Sequence, residues 1–271
     1  MNAGARVASF GALLVAIFAL AMLAGRALNP ATEDAAGAGH AAAAHGGAHA
    51  AAGASASAGL RLVVDSPTTL VPGHRAHLTF RVVDEHGATV RNFETEQARR
   101  MHLIVVRRDL RRFQHLHPTQ DSAGAWSTAL TLPDAGVYHA FADFRSGGAR
   151  HTPGVDLFAG GRFAPLALPP PSNVAQTDGY DVALRDDGRR LRFSVGLGGR
   201  LRTDLQPYLG ARGHLVVLRA GDLAYAHVHP VNTDELAFVT DHLAPGRYRL
   251  FVQFRHAGRV HTAAFTKVVD Q

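Results

Sequence analysis

Two stretches of this chain repeat each other. Residues 101–118 read MHLIVVRRDLRRFQHLHP and residues 213–230 read GHLVVLRAGDLAYAHVHP, aligned without gaps at an offset of 112. Residues 136–152 (GVYHAFADFRSGGARHT) match residues 246–262 (GRYRLFVQFRHAGRVHT) at an offset of 110, so the two-residue slip falls in the loop between the blocks. The duplication restricts the chain to two copies of one small fold, each near the size that can bury a core of its own.

Within each copy, short alternating segments are separated by turn residues. No helical period lasts the 10–12 residues that a helix needs. The pattern predicts strands near 60–64, 76–83, 102–106, 113–117, 125–130, 136–144 and 150–157 in the first copy. Their counterparts lie near 181–184, 191–195, 214–218, 225–229, 236–239, 246–254 and 259–268. About seven short strands per hundred residues is the pattern of an immunoglobulin-like or cupredoxin-like sandwich. The expected fold class is therefore all-β: two tandem β-sandwiches, residues 60–167 and 174–271, joined by the proline-rich junction 168–173.

Ahead of the repeats, residues 7–25 form an uncharged, mostly apolar run bounded by Arg6 and Arg26. Nineteen such residues are long for a signal-peptide core and enough to span ~30 Å of hydrocarbon as a helix. Residues 1–28 are thus expected to be a signal anchor, one transmembrane helix with its short basic end inside and the C-terminal domains on the extracytoplasmic side. Residues 29–59 are Ala/Gly-rich and lack aromatic residues, which predicts a flexible linker. His40, His45 and His49 lie in it, where a disordered chain would gather metal only weakly.

The chain has no cysteine, which removes disulfides, thiolate metal sites and blue-copper chemistry. A net charge of +6, nearly all arginine, suits anionic polymers or lipid headgroups. Nucleic acid is a poor partner, because the arginines sit on turns and strand ends with no basic helix or aromatic platform. The clusters Arg107-Arg108, Arg111-Arg112 and Arg189-Arg190 read as solvated turns, and Asp186-Asp187-Gly188 as a hairpin turn.

Histidine is the unusual residue, with 17 in the chain. A two-residue hairpin loop at Arg108-Asp109 would place His115 directly opposite His102, with His117 on the same face. Opposed Cβ atoms ~4.5–5.5 Å apart let imidazoles converge on one ion. A loop at Ala220-Gly221 would likewise set His227 against His214, with His229 beside them. His151 and His261, each before a Thr in the last strand, are candidate fourth ligands. The competing reading is structural: His102 shares its face with Ile104, Val106 and Phe113, at the edge of an apolar surface.

With its His-rich linker AGAGHAAAAHGGAHA and paired HLHP and HVHP motifs, the chain resembles an actinobacterial group of membrane-anchored secreted proteins. More loosely, it is similar to small periplasmic Ig-like domains of the YtkA type. The resemblance implies fold and location; it carries no activity.

Imidazoles without thiolate or thioether suit Cu(II), Zn(II) or Ni(II) better than Cu(I). The first copy offers Asp143, Glu94 and Glu96 as acids, but the second has Gln253, Gln206 and Tyr208 there. Ligands that duplicate without their acids point to binding rather than catalysis. No nucleophile elbow, P-loop or dinucleotide fingerprint is present, and no small-molecule substrate is legible. The expectation is an extracytoplasmic module for Cu(II) or Zn(II) that buffers, sequesters or delivers metal to an envelope protein or transporter. The alternative is a metal-free Ig-like adhesion or assembly protein of the cell envelope.

Overall fold

The structure, a computed structural model, describes residues 59–270 apart from His227, Asp241 and His242. The expected signal anchor, nearly all of the linker, and the candidate ligand His227 lie outside the described residues. The described residues lie in one compact unit and are all-β, in two repeated halves.

The first repeat contains β1 (Arg61–Val64), β2 (Thr69–Leu70), β3 (Arg75–Val83), β4 (His102–Arg107), β5 (Gln114–Leu116), β6 (Thr119–Gln120), β7 (Trp126–Thr131), β8 (Gly136–Ser146), β9 (Ala149–His151) and β10 (Gly154–Ala159). The second contains β11 (Val174–Thr177), β12 (Tyr180–Asp186), β13 (Arg190–Leu197), β14 (Arg200–Leu201), β15 (Gly213–Arg219), β16 (Tyr225–Ala226), β17 (Val228–Pro230), β18 (Ala237–Thr240), β19 (Gly246–His256) and β20 (Arg259–Val269). In repeat 1, a sheet ordered β1-β3-β7-β6 packs on one ordered β2-β10-β8-β4-β5, with β9 also on β8. In repeat 2, the sheets are β11-β12-β13-β18-β17, with β14 on β13, and β16-β15-β19-β20.

Burial of β4 and β15 decides how the halves meet. All six residues of β4 are buried, as are the first six of β15. Successive side chains point to opposite faces, so a strand buried throughout is covered on both sides. Leu103 and Val105 enter the repeat 1 core with Phe80 and Trp126, while Leu215 and Val217 enter the repeat 2 core with Phe193 and Phe265. Their neighbours Ile104, Val106, Val216 and Leu218 form a third core, a seam between the repeats, with Phe141, Tyr225 and Phe251. Phe113 stacks on Phe251 at 4.2 Å, and Tyr225 meets Phe141 edge-on at 5.4 Å. These are corresponding positions of the two copies, so the seam is pseudo-symmetric.

Both hairpins depart from the expected two-residue loops. β4 pairs β5 with Ile104 opposite His115, two residues out from the expected register. The loop is residues 108–111, closed by Arg107 N–H to the Arg111 carbonyl at 2.8 Å, with Leu110 at φ 59°. Its local driver is Asp109, which folds back onto Arg107 with Nε–Oδ1 at 3.0 Å and Nη2–Oδ2 at 2.6 Å. Arg219 and Asp222 repeat the device in a loop that sets Val217 opposite Ala226. Arg107 is accordingly buried, not a solvated turn residue, because its carboxylate partner travels with it. The Asp186-Asp187-Gly188 turn does close the β12–β13 hairpin, with Gly188 at φ 89°.

Two expected strands are split. Pro153, which lacks an N–H, interrupts residues 150–157 between β9 and β10. Residues 225–229 divide between sheets: β16 stays on β15, and β17 pairs β18.

Repeat 2 has Gly213 where repeat 1 has the buried Met101. A Cβ at 213 would lie 2.3 Å from the Gln253 carbonyl oxygen and 2.3 Å from Leu236 Cδ1. Gly213→Ala is therefore expected to destabilise by roughly 1–3 kcal/mol in denaturant titrations, the range for overpacking. A change below about 0.5 kcal/mol would contradict this packing.

Candidate metal centre at the seam

Four imidazoles meet at one end of the seam, three from repeat 1 and one from repeat 2. His102 opens β4, His115 is central in β5, and His117 follows β5 directly. Because the register is shifted by two, side-chain parity is kept and the three still share a face. Continued one step, that register sets His117, rather than His115, opposite His102. His214 on β15 projects from the other side of the seam, its ring 4.5 Å from that of His115 and stacked 5.6 Å from that of His102.

One ligand nitrogen each from His102, His115 and His117 lies within 4.8 Å of the other two. His102 Nδ1 is 2.9 Å from His115 Nε2. The outer nitrogens are held by acceptors: His102 Nε2 by the Glu96 carbonyl at 3.2 Å, and His115 Nδ1 by Gln253 Oε1 at 2.6 Å. Gln253 is oriented by its amide nitrogen, which donates to Thr262 Oγ1 at 3.2 Å. The Glu96 carbonyl can only accept, so neutral His102 is protonated on Nε2 and turns the Nδ1 lone pair toward His115. His117 Nε2 and His214 Nδ1 are also buried without a hydrogen-bond partner.

Electrostatics keep the group unprotonated. Burial, and then the charges of the neighbouring imidazoles, hold His115 and His214 far below the usual histidine range. The same causes bring His117 down to about 4, and burial lowers His102. Asp143, opposite His102 on β8, is pushed up to about 6 by burial, with Arg150 opposing. Its carboxylate accepts from Tyr225 Oη at 3.3 Å across the seam and lies 3.7 Å from Nη1 of Arg150, whose Nη2 pairs with Glu96.

The remaining sequence candidates lie elsewhere. His151 pairs in register with Phe144, stacks on that ring at 5.4 Å, and bonds the Ser146 carbonyl at 3.2 Å. Phe144 faces the repeat 1 core, whereas Asp143 beside it faces the seam, so His151 is on the wrong side of the sheet to join the cluster. His261 does the same opposite Phe254, bonding Asp178 Oδ2 at 2.7 Å. His229 is exposed on β17 opposite Val239, in the other sheet from His214. The expected second cluster of His214 with His229 is thus not assembled: the chain changes sheet after β16, and His214 faces the first cluster. Sequence reasoning treated Gln253 only as a missing acid, yet it orients His115. Its position opposite His214, matching Asp143 opposite His102, was the available signal.

Solved structures give only distant likenesses. A Salmonella alpha-2-macroglobulin mutant is 14% identical at a TM-score of 0.30, over 81% of this chain and 15% of that one. Domains 4–9 of the surface layer protein SbsC are 15% identical at 0.22, over 78% of this chain and 31% of that one. A marsupial T cell receptor is 12% identical at 0.22, over 78% and 96%. This chain therefore spans less than a third of the first two. No curated protein matches the sequence. A family profile does match, over residues 55–159 and 175–271, one segment on each repeat. The chain belongs to the family described as Domain of unknown function (DUF8832).

Proposed function

We propose that the protein is a membrane-tethered, extracytoplasmic metal-binding module whose paired Ig-like domains hold one Cu(II) or Zn(II) ion in their seam. Its role is to buffer, sequester or pass on that ion at the membrane, to an envelope protein or transporter. The ligands are His102, His115 and His117, with His214 beside them.

One observation carries this reading: ligand nitrogens of His102, His115 and His117 converge within 4.8 Å of one another in a part-buried cluster, with His102 Nδ1 only 2.9 Å from His115 Nε2. With Gln253 Oε1 accepting from His115 Nδ1, both facing nitrogens offer lone pairs, and a cation between them is held by both. Two imidazoles bound to one ion at ~2.0–2.1 Å have nitrogens about 2.9–3.4 Å apart for bond angles of roughly 90–110°. The orphaned nitrogens of His117 and His214 add donors that otherwise forfeit their hydrogen bonds. The donor set, all imidazole, suits a borderline divalent ion. Gln253 and the Glu96 carbonyl fix the ring tautomers as outer partners do at metal sites. Turnover is not part of the proposal, because both neighbours of Asp143, Tyr225 and Arg150, already engage its carboxylate.

Calorimetric titration of the full chain, with His40, His45 and His49 changed to alanine, tests this. The expected result is one tight equivalent of Zn(II) or Cu(II) per chain. His115→Ala abolishes it, and His214→Ala weakens it on the order of 10–100-fold although that residue belongs to the other repeat. His229→Ala leaves it unchanged. Two independent equivalents would refute the shared site, and no tight binding would leave a metal-free envelope module with histidines packing its seam.

A further inference from the structure

The other end of the same seam holds a second polar group that metal binding does not involve. β4 runs from His102 to Arg107, about 17 Å at the rise of a strand. There a cavity of about 270 Å³ opens between the β4–β5 loop of repeat 1 and strands β19 and β20 of repeat 2. Leu110, Leu166 and Phe251 supply apolar walls, and arginines supply the rest.

Charge balance around this cavity is incomplete. Arg107 is matched by Asp109, and Arg112 pairs with Asp134. Arg111 and Arg249 form no ion pair among the described residues. Each has one neutral hydrogen-bond partner, Arg111 Nη2 donating to the Ala167 carbonyl at 3.0 Å and Arg249 Nη1 to Thr266 Oγ1 at 2.9 Å, and the Arg249 guanidinium also lies 6.0 Å from the Phe251 ring centre. The Nε atoms of both are buried and unpartnered. A guanidinium remains charged in proteins, so two of them without a counter-charge are costly when their donors are also idle. Burial, and then the charge of Arg111, lower the Arg249 guanidinium from its usual value, so the two act on each other.

The pseudo-symmetric corner is not built this way. The residue corresponding to Arg249 is His139, which bonds Asp156 Oδ1 at 2.6 Å, and the residue corresponding to Arg111 is Leu223. The excess of positive charge is peculiar to one corner, not inherited from the repeat.

We propose that this cavity is an oxyanion site, in which a phosphate or phosphomonoester group bridges Arg111 of repeat 1 and Arg249 of repeat 2. Phosphate suits it better than a carboxylate, because it brings close to two negative charges and several acceptor oxygens to two opposed guanidinium groups. Both free phosphate and the phosphate of a lipid headgroup offer this chemistry.

The full chain is titrated with inorganic phosphate by calorimetry at low ionic strength, and separately with phosphatidylglycerol vesicles against phosphatidylcholine vesicles. Arg111→Gln and Arg249→Gln are each compared with Arg185→Gln on the exposed face of β12, with near-ultraviolet circular dichroism confirming folding. Saturable phosphate binding that weakens at least tenfold in both seam variants, and less than twofold in Arg185→Gln, supports the site with a free anion. Selective vesicle binding lost in the same two variants, without saturation by free phosphate, supports it with a headgroup. If neither probe binds, or binding survives both substitutions, the proposal is overturned. Should one variant not fold, the other decides.

Discussion

Between pH 7.5 and pH 5, the melting temperature of the metal-free protein is expected to fall on the order of 10 °C. His102 and His214 are buried and His115 and His117 half-buried as neutral rings, with folded-state values below that of a free imidazole and, for His117, about 4. In the unfolded chain the same rings take up protons near pH ~6.5. Below that pH the unfolded state binds more protons, so stability is complete above it and drains away as pH falls toward 4. Asp143 works in the opposite sense: its carboxyl, raised to about 6, gains a proton in the folded state first. One carboxyl does not offset four imidazoles. After allowance for residual solvent at His117, a loss of about 3–5 kcal/mol remains, at roughly 2–4 °C per kcal/mol for a chain of this size. Calorimetric melts of chelator-treated full chain in steps of half a pH unit check this. A melting temperature flat within about 2 °C across that range would mean that the imidazoles are solvated and the seam is open.

Asp109→Ala should cost about 3–5 kcal/mol, the usual penalty for removing one member of a buried ion pair. The side chains of Arg107 and Asp109 are 6% and 4% exposed. Burial alone would raise the Asp109 carboxyl, but the Arg107 hydrogen bonds, the Leu166 N–H at 3.1 Å and the Arg107 charge hold it below its usual value. Without it, Arg107 retains long contacts to Asp134 Oδ2 at 3.4 Å and the Ala135 carbonyl at 3.5 Å, and the Phe163 ring 5.7 Å from its guanidinium carbon. The Leu166 N–H is also orphaned, which loosens the segment between the repeats. The double change Arg107→Met/Asp109→Leu should recover most of the loss, since it removes both charges together. Urea titrations of the single and double variants measure the difference. A single-variant loss under about 1 kcal/mol would show that the pair is solvated after all.

Much of the fold was legible because its signals are local. Alternation with period two marked the strands, and Gly188 marked a tight turn. The gapless offsets announced two copies. The hairpin loops were harder, since the interaction that lengthens them joins a strand-end arginine to an acid two or three residues on. Arg107 with Asp109, and Arg219 with Asp222, could have been noticed as a strand-end arginine followed closely by an aspartate in both copies. The shared face of His102, His115 and His117 survived the error, because a two-residue shift leaves side-chain parity unchanged. A one-residue shift would have turned His115 and His117 to the opposite face.

By itself, the sequence determined the all-β class, the duplication, and the side of the β4–β5 hairpin to which its histidines point. These follow from the pleat and from turn chemistry, which act over a few residues. Only the tertiary structure decided that the histidine face is not an outer surface. It packs against its own copy, so His214 and Gln253 from one repeat complete a site begun by the other, while His151 and His261 turn inward. Burying Ile104, Val106, Val216 and Leu218 together is a contact between residues more than a hundred positions apart, and no periodicity in either segment encodes which surface will cover it.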